Sequence, residues 1–251
     1  MGYNWNWGIL LAQEPGGTGT FLHYLFVGLG WSVLTALCAW VIALLVGSLV
    51  GTLRTTTNVW VVRLGNAYVE IFRNIPLIVQ MFLWFFVFPE LLPKSMGDAI
   101  KQMPPPWSAF IPAVLCLGMF TSVRVAEQLR AGIQSLPRGQ SMAGTAMGLT
   151  QTQNYRYVIL PQAFRIILPP ITSEFMNIIK NSSVALTIGL MELTGRARAM
   201  QEFTFQVFEA FAAATVIYLL TNLIVVAGMR LLERKVSVPG LIAAAGVSAG
   251  H

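Results

Sequence analysis

Charge is scarce in this chain: 10% of its 251 residues are Asp, Glu, Lys or Arg, against 55% that are hydrophobic. A soluble domain of this length needs a charged surface however large its core, so the scarcity excludes an ordinary soluble fold and makes a bilayer the natural solvent. Cysteine and histidine are rarer still, at two each. Cys38 and Cys116 lie far apart within apolar runs and read as small buried hydrophobes rather than a disulfide. His23 and His251 have no carboxylate or thiol at ligand spacing, so no metal site is expected. Also missing are a glycine-rich loop ending in Gly-Lys-Ser/Thr, G-x-S-x-G, H-E-x-x-H and paired aspartates in apolar runs. Their absence argues against a nucleotide-binding engine or an intramembrane enzyme in this chain. Despite a net charge of +6 and a pI near 9.7, there is no basic helix or Lys/Arg stripe interleaved with aromatics, so nucleic acid is not an expected partner.

What is present is a series of long apolar runs. Phe21 to Leu53 carries no charge and exceeds the roughly 20 residues a spanning helix needs, which places a first span at Val27 to Leu53. Further spans are expected at Gly65 to Phe88, Trp107 to Val123, Ile166 to Leu190 and Ala210 to Met229. The fold class is therefore all-α integral membrane with five transmembrane helices. Arg54, Arg63, Arg130, Arg138, Arg156, Arg165, Arg230, Arg234 and Lys235 fall on one side, and only Lys94, Lys101, Arg196 and Arg198 on the other. The richer side is cytoplasmic by the positive-inside rule, which puts the N-terminus outside and the C-terminus inside. Residues 1–20, with Trp5 and Trp7 and no signal-peptide pattern, read as an external interfacial segment. Residues 21–235 form the transmembrane domain, and 236–251, rich in Ala and Gly, a mobile tail.

The cytoplasmic loop at about 131–165 holds two short helices. Ser135 is positioned to cap the first, which has Pro137 near its start and Gly148 at its end. The second starts near Thr150 and is expected to break at Leu160-Pro161. Ala143, Gly144, Ala146 and Gly148 keep the first helix slim, and Met142 and Met147 offer adaptable apolar contacts, so a partner can approach closely. An amphipathic helix lying on lipid is the other reading, against which the low charge argues.

This loop resembles the EAA loop of binding-protein-dependent ABC import permeases: E-A-A, three residues, Gly, nine residues, then I-x-L-P. Met142, Ala143 and Gly144 stand in the E-A-A place, Gly148 is the glycine, and Leu160 and Pro161 close the pattern. The usual glutamate is missing, which puts one polar contact in doubt rather than the docking. Glu70-Ile-Phe-Arg-Asn-Ile-Pro-Leu-Ile-Val-Gln80, Tyr157-Val-Ile-Leu-Pro-Gln162 and Ile179-Lys-Asn-Ser-Ser183 resemble segments of the polar amino-acid branch. Asn4-Trp-Asn-Trp-Gly8, Ser122-Val-Arg-Val-Ala-Glu-Gln128 and Val184-Ala-Leu-Thr-Ile-Gly-Leu190 are most similar to membrane subunits of glutamate/aspartate importers. The resemblance implies a pore-forming permease subunit of the bacterial cytoplasmic (inner) membrane that imports an amino acid by alternating access. It implies as partners a second permease subunit, a paralogue or a copy of itself, two cytoplasmic ATPases carrying ATP and Mg, and an external solute-binding protein. It also marks Met142, Ala143, Gly144, Gly148, Leu160 and Pro161 as the ATPase-coupling residues. No cofactor is expected in this chain itself. An ion-gradient-driven secondary transporter is the alternative, disfavoured by the lack of an evident internal repeat.

Charge inside a spanning helix is costly, about 2.5 to 3.5 kcal/mol on insertion scales, so such residues face protein or a wet cavity. Ser173, Asn177, Lys180 and Asn181 repeat at helical spacing and form one polar stripe, which either lines a path or hydrogen-bonds neighbouring helices. Arg124 is expected to pair locally with Glu127, Glu127 with Arg130, and Glu70 with Arg73. Arg124, a bidentate partner for carboxylate deep in the third span, is the candidate group for an acidic substrate, with Glu127 beside it on the path.

Overall fold

A computed structural model describes residues 3–17 and 19–236, and these are helical almost throughout. The helices are α1 (Phe21–Leu53), α2 (Val59–Asn74), α3 (Leu77–Leu91), α4 (Lys94–Lys101) and α5 (Trp107–Ser135), then α6 (Arg138–Ala146), α7 (Gln151–Asn154), α8 (Leu160–Asn181), α9 (Leu193–Thr204) and α10 (Val207–Val236). The expected tail falls outside the described residues apart from Val236, which is the last residue of α10.

By length and composition α1, α5 and α10 can each cross a bilayer. The expected second span is not one helix: α2 and α3 meet at an angle of 102°. Pro76 is the reason, since it lacks an N–H and drives Ile75 before it out of helical geometry, and its own ψ of 142° is extended. In the expected fourth span, α8 begins earlier and ends earlier than the apolar run, at Asn181. It holds Arg165, Glu174 and Lys180 as well as Pro169 and Pro170, and so is less apolar than the three clean spans.

The chain divides into two compact units. The first comprises residues up to Val41, Ile75–Met119 and Met176–Ile224. Phe21 and Leu25 of α1, Leu193, Ala197 and Met200 of α9, and Ala210, Ala214 and Ile217 of α10 form one of its buried clusters. The close approach of α1 and α9 depends on Gly28, where a Cβ would lie 2.9 Å from Leu193 Cα. At the start of α9, Glu192 is fully buried and completely bonded. Its carboxylate accepts from the N–H groups of Gly195 (2.8 Å) and Thr194 (3.0 Å), capping the helix, and from the hydroxyls of Tyr218 (2.7 Å) and Ser32 (3.1 Å). The N-terminal segment is tied to α10: Asn6 N–H donates to Glu209 Oε1 at 2.7 Å, and the Tyr3 hydroxyl also donates to Glu209.

The second unit comprises Ile42–Asn74, Phe120–Phe175 and the chain from Val225. Val69 of α2 packs with Val123 and Ala126 of α5. Gly47 and Gly51 let α1 run against α5: a Cβ at Gly47 would sit 2.6 Å from the Ser122 carbonyl oxygen, and one at Gly51 2.8 Å from that of Ala126. Asn58 caps α2 through the N–H groups of Trp60 and Val61.

Candidate functional site

Two features of the second unit draw on the residues singled out in the sequence. The first is the loop between α5 and α8. Its first helix, α6, is not capped by Ser135, whose hydroxyl turns back to the Gly132 carbonyl at 2.9 Å. Pro137, without an N–H to satisfy, stands at the N-cap instead. The helix ends as expected at Gly148, whose φ of 82° lets the N–H of Leu149 reach back to the Gly144 carbonyl at 3.1 Å. Thr150 then opens α7 with a reciprocal cap to Gln153. The expected break at Leu160-Pro161 does not occur. A wide π turn, Tyr155–Ile159, absorbs the hydrogen bond that Pro161 cannot make, and the helix continues into α8.

Within this loop Met142, Ala143 and Gly148 are exposed, Gly144 is buried, Leu160 is half-buried and Pro161 exposed. Asn154, buried and unnoticed in the sequence, links the two helices: its amide donates to the Ser141 carbonyl at 2.8 Å and lies against Gly144, where any side chain would collide with it. The Tyr155 hydroxyl donates to the Thr55 carbonyl at 2.9 Å, connecting the loop to the end of α1. A cavity of about 610 Å³ opens between them, lined by Arg54, Thr55, Val62, Arg138, Ser141 and Tyr155 among others.

The second feature is a set of charged side chains on α5 and α8. Neither local pair expected for Glu127 forms. Glu127 bonds Arg54 at 2.8 Å, while Arg54, almost wholly buried, also donates to Asn66 at 2.8 Å. A buried guanidinium needs a carboxylate, and Arg54 is the more deeply buried cation, so it takes Glu127. Arg124 faces Glu174 of α8 instead, with Nε 3.7 Å from Oε2, and its guanidinium lies 4.4 Å from the centre of the Phe120 ring. Gln128 Nε2 approaches the other Glu174 oxygen at 3.4 Å. Glu70 and Arg73 do pair, at 3.5 Å and fully in the open.

Of the polar stripe on α8, Ser173 and Lys180 are exposed and Asn177 and Asn181 half-buried, so none is absorbed by the chain's own core. Gln128 and Glu174 went unremarked as site residues, although the signal was there. Gln128 stands one helical turn after Arg124, and Glu174 adjoins Ser173 as a charge within an apolar run.

The model of the binding-protein-dependent transport system inner membrane component matches residues 43–238. The glutamate/aspartate import permease protein GltJ of Escherichia coli (strain K12) is 49% identical over 96% of this chain and 98% of its own length. The glutamate/aspartate import permease protein GltK of Escherichia coli O157:H7 is 29% identical, covering 88% of this chain and 93% of that one. Among solved structures, an amino acid ABC transporter crystallised with histidines superposes with a TM-score of 0.72 at 29% identity, covering 86% of this chain and 95% of the other. The MetNI methionine ABC transporter shares the fold, with a TM-score of 0.67 at 21% identity over 86% of this chain and 97% of its own.

Proposed function

The chain belongs to the binding-protein-dependent transport system inner membrane components, and on that premise we propose that it forms one half of the pathway through which an ABC importer moves glutamate and aspartate. The observation that carries this reading is the 49% identity to a glutamate/aspartate import permease along almost the whole chain. Its relatives are permease subunits of ABC transporters, so ATP is hydrolysed in separate subunits. In this reading two cytoplasmic ATPases hold ATP and Mg, an external solute-binding protein delivers the amino acid, and a second permease subunit completes the path. A paralogous partner is supported by the resemblance of this one chain to both GltJ and GltK.

The membrane is the bacterial inner membrane, with the N-terminus outside, the C-terminus in the cytoplasm, and α8 as a fifth crossing beside α1, the bent α2–α3 pair, α5 and α10. The ATPases grip α6 around Met142, Ala143 and Gly148, while Leu160 and Pro161 carry the motion into α8. The unbroken passage from α7 through the π turn into α8 supports this, because a continuous helix transmits displacement where a hinge would dissipate it. Arg124 receives a carboxylate of the substrate, and Ser173, Asn177, Lys180 and Asn181 supply a polar face along the path. Glu127 acts there through Arg54, as a positioning group for α1 against α5.

ATPase activity of the assembled complex in lipid, measured with its binding protein loaded in turn with glutamate, aspartate, glutamine or arginine, tests the reading. Stimulation by the two acidic ligands alone is expected. Uptake driven by an ion gradient without associated ATPase activity would overturn it.

A further inference from the structure

The cluster of Arg124, Gln128 and Glu174 differs from the fully bonded Glu192 network in what it leaves undone. Arg124 Nη1, Gln128 Oε1 and Glu174 Oε2 are each shielded from solvent and each lack a hydrogen-bond partner. The Arg124–Glu174 contact, at 3.7 Å, is an ion pair too long to be a hydrogen bond, and the Gln128 amide reaches Glu174 and the Pro170 carbonyl only at 3.4 and 3.5 Å. An unmade hydrogen bond at a buried polar atom costs about 1–3 kcal/mol, so three in one place are not a device for stability.

The three atoms are one donor and two acceptors, and their charges are of opposite sign and adjacent. That pattern is the complement of a zwitterion. We infer that these residues form a subsite for the α-amino acid head group, in which Arg124 Nη1 donates to a carboxylate while Glu174 Oε2 and Gln128 Oε1 accept from the ammonium. Phe120 holds the guanidinium in place from one side. Arg124 and Gln128, four residues apart on α5, present their ends on one face toward Glu174 on α8. The Arg124 side chain is 41% exposed and that of Glu174 12%, so a ligand reaches the cluster from the arginine end. Glu174 is then a specificity-determining residue: it demands the ammonium that distinguishes an amino acid from a simple dicarboxylate. The inference rests on the chain being an amino-acid permease subunit, but it does not depend on which amino acid passes.

The test is equilibrium binding of radiolabelled L-glutamate, L-glutamine and glutarate to the assembled complex in nanodiscs, without its solute-binding protein. Glutarate is glutamate without the ammonium. In Glu174→Gln, glutamate binding is expected to weaken at least about tenfold with glutarate unchanged, because a site built to bond a polar group discriminates only while that bond is available. Arg124→Ala weakens both ligands. Gln128→Leu, which leaves the Arg124–Glu174 pair in place, lowers the glutamate-to-glutarate ratio on its own. Equal loss of both ligands in Glu174→Gln and Gln128→Leu, or no loss in either variant, overturns the subsite. If wild type prefers glutamine, and Glu174→Gln weakens glutamine but not its deaminated analogue glutaramate, the subsite stands and the glutamate/aspartate assignment falls. If wild type prefers glutamate and both variants match it, the assignment stands and the subsite falls.

Discussion

Each unit holds a glutamate between helices, Glu192 fully buried and Glu174 half-buried, and the two are treated in opposite ways. Glu192, in the first unit, accepts four hydrogen bonds from two hydroxyls and two backbone N–H groups, and caps α9 in doing so. Glu174, in the second, has an oxygen with no hydrogen bond beside an arginine and a glutamine that are equally unsatisfied. A buried carboxylate whose lone pairs are filled holds helices together, and one left open next to an open cation is ready for something else. Sequence position does not separate the two, since both are lone glutamates within or beside apolar runs. Hydrogen-bond satisfaction does.

The sharpest way to break this comparison is Glu192→Ala. It removes the cap of α9 and strands the N–H groups of Thr194 and Gly195, so the complex is expected to lose about 3 kcal/mol of stability. A melt in detergent that leaves Tm unchanged would mean that the filled network is not structural. Gly144→Ala comes next, at about 1–3 kcal/mol, because its new methyl must displace the Asn154 amide. ATPase assays of that variant should show weakened stimulation by loaded binding protein, and full stimulation would detach α6 from coupling. Tyr155→Phe deletes the hydroxyl's bond to the Thr55 carbonyl and its longer contact to Thr55 Oγ1, a loss of about 1 kcal/mol. It should appear as a small drop in Tm and in transport per ATP hydrolysed. Smallest of all on stability is Gln128→Leu, within about 0.5 kcal/mol in either direction, since the oxygen it removes had no partner and the nitrogen only long contacts, at 3.4 and 3.5 Å. A large drop in Tm there would place Gln128 with Glu192 among the structural groups.

Much of the fold was legible from local signals. The uncharged runs marked α1, α5 and α10, Gly148 marked the end of α6, and Thr150 marked the start of α7. Prolines were read less well, and in both directions. Pro76 bends α2 from α3 inside what looked like one span, while Pro161, read as a break, is carried through by a π turn. The same residue has opposite outcomes because a freed carbonyl is tolerated wherever the backbone can widen locally, and sequence does not say where it can. The candidate site was legible in part. Arg124 stood out as a charge in an apolar setting, but its partner was sought a turn away on its own helix and found on another.

What the sequence by itself determined is therefore the solvent and the helices. Apolar run length and capping act over a few residues, and the scarcity of charge leaves no alternative to a bilayer. Which charges meet was decided only by tertiary structure. Arg54 with Glu127 and Arg124 with Glu174 are pairs between helices remote in the chain. The nearest opposite charge along a helix is worth a few tenths of a kcal/mol, whereas leaving a desolvated guanidinium without a carboxylate costs several. Packing decides which helices face one another and leaves Arg54, though not Arg124, desolvated, and through that it chooses their partners.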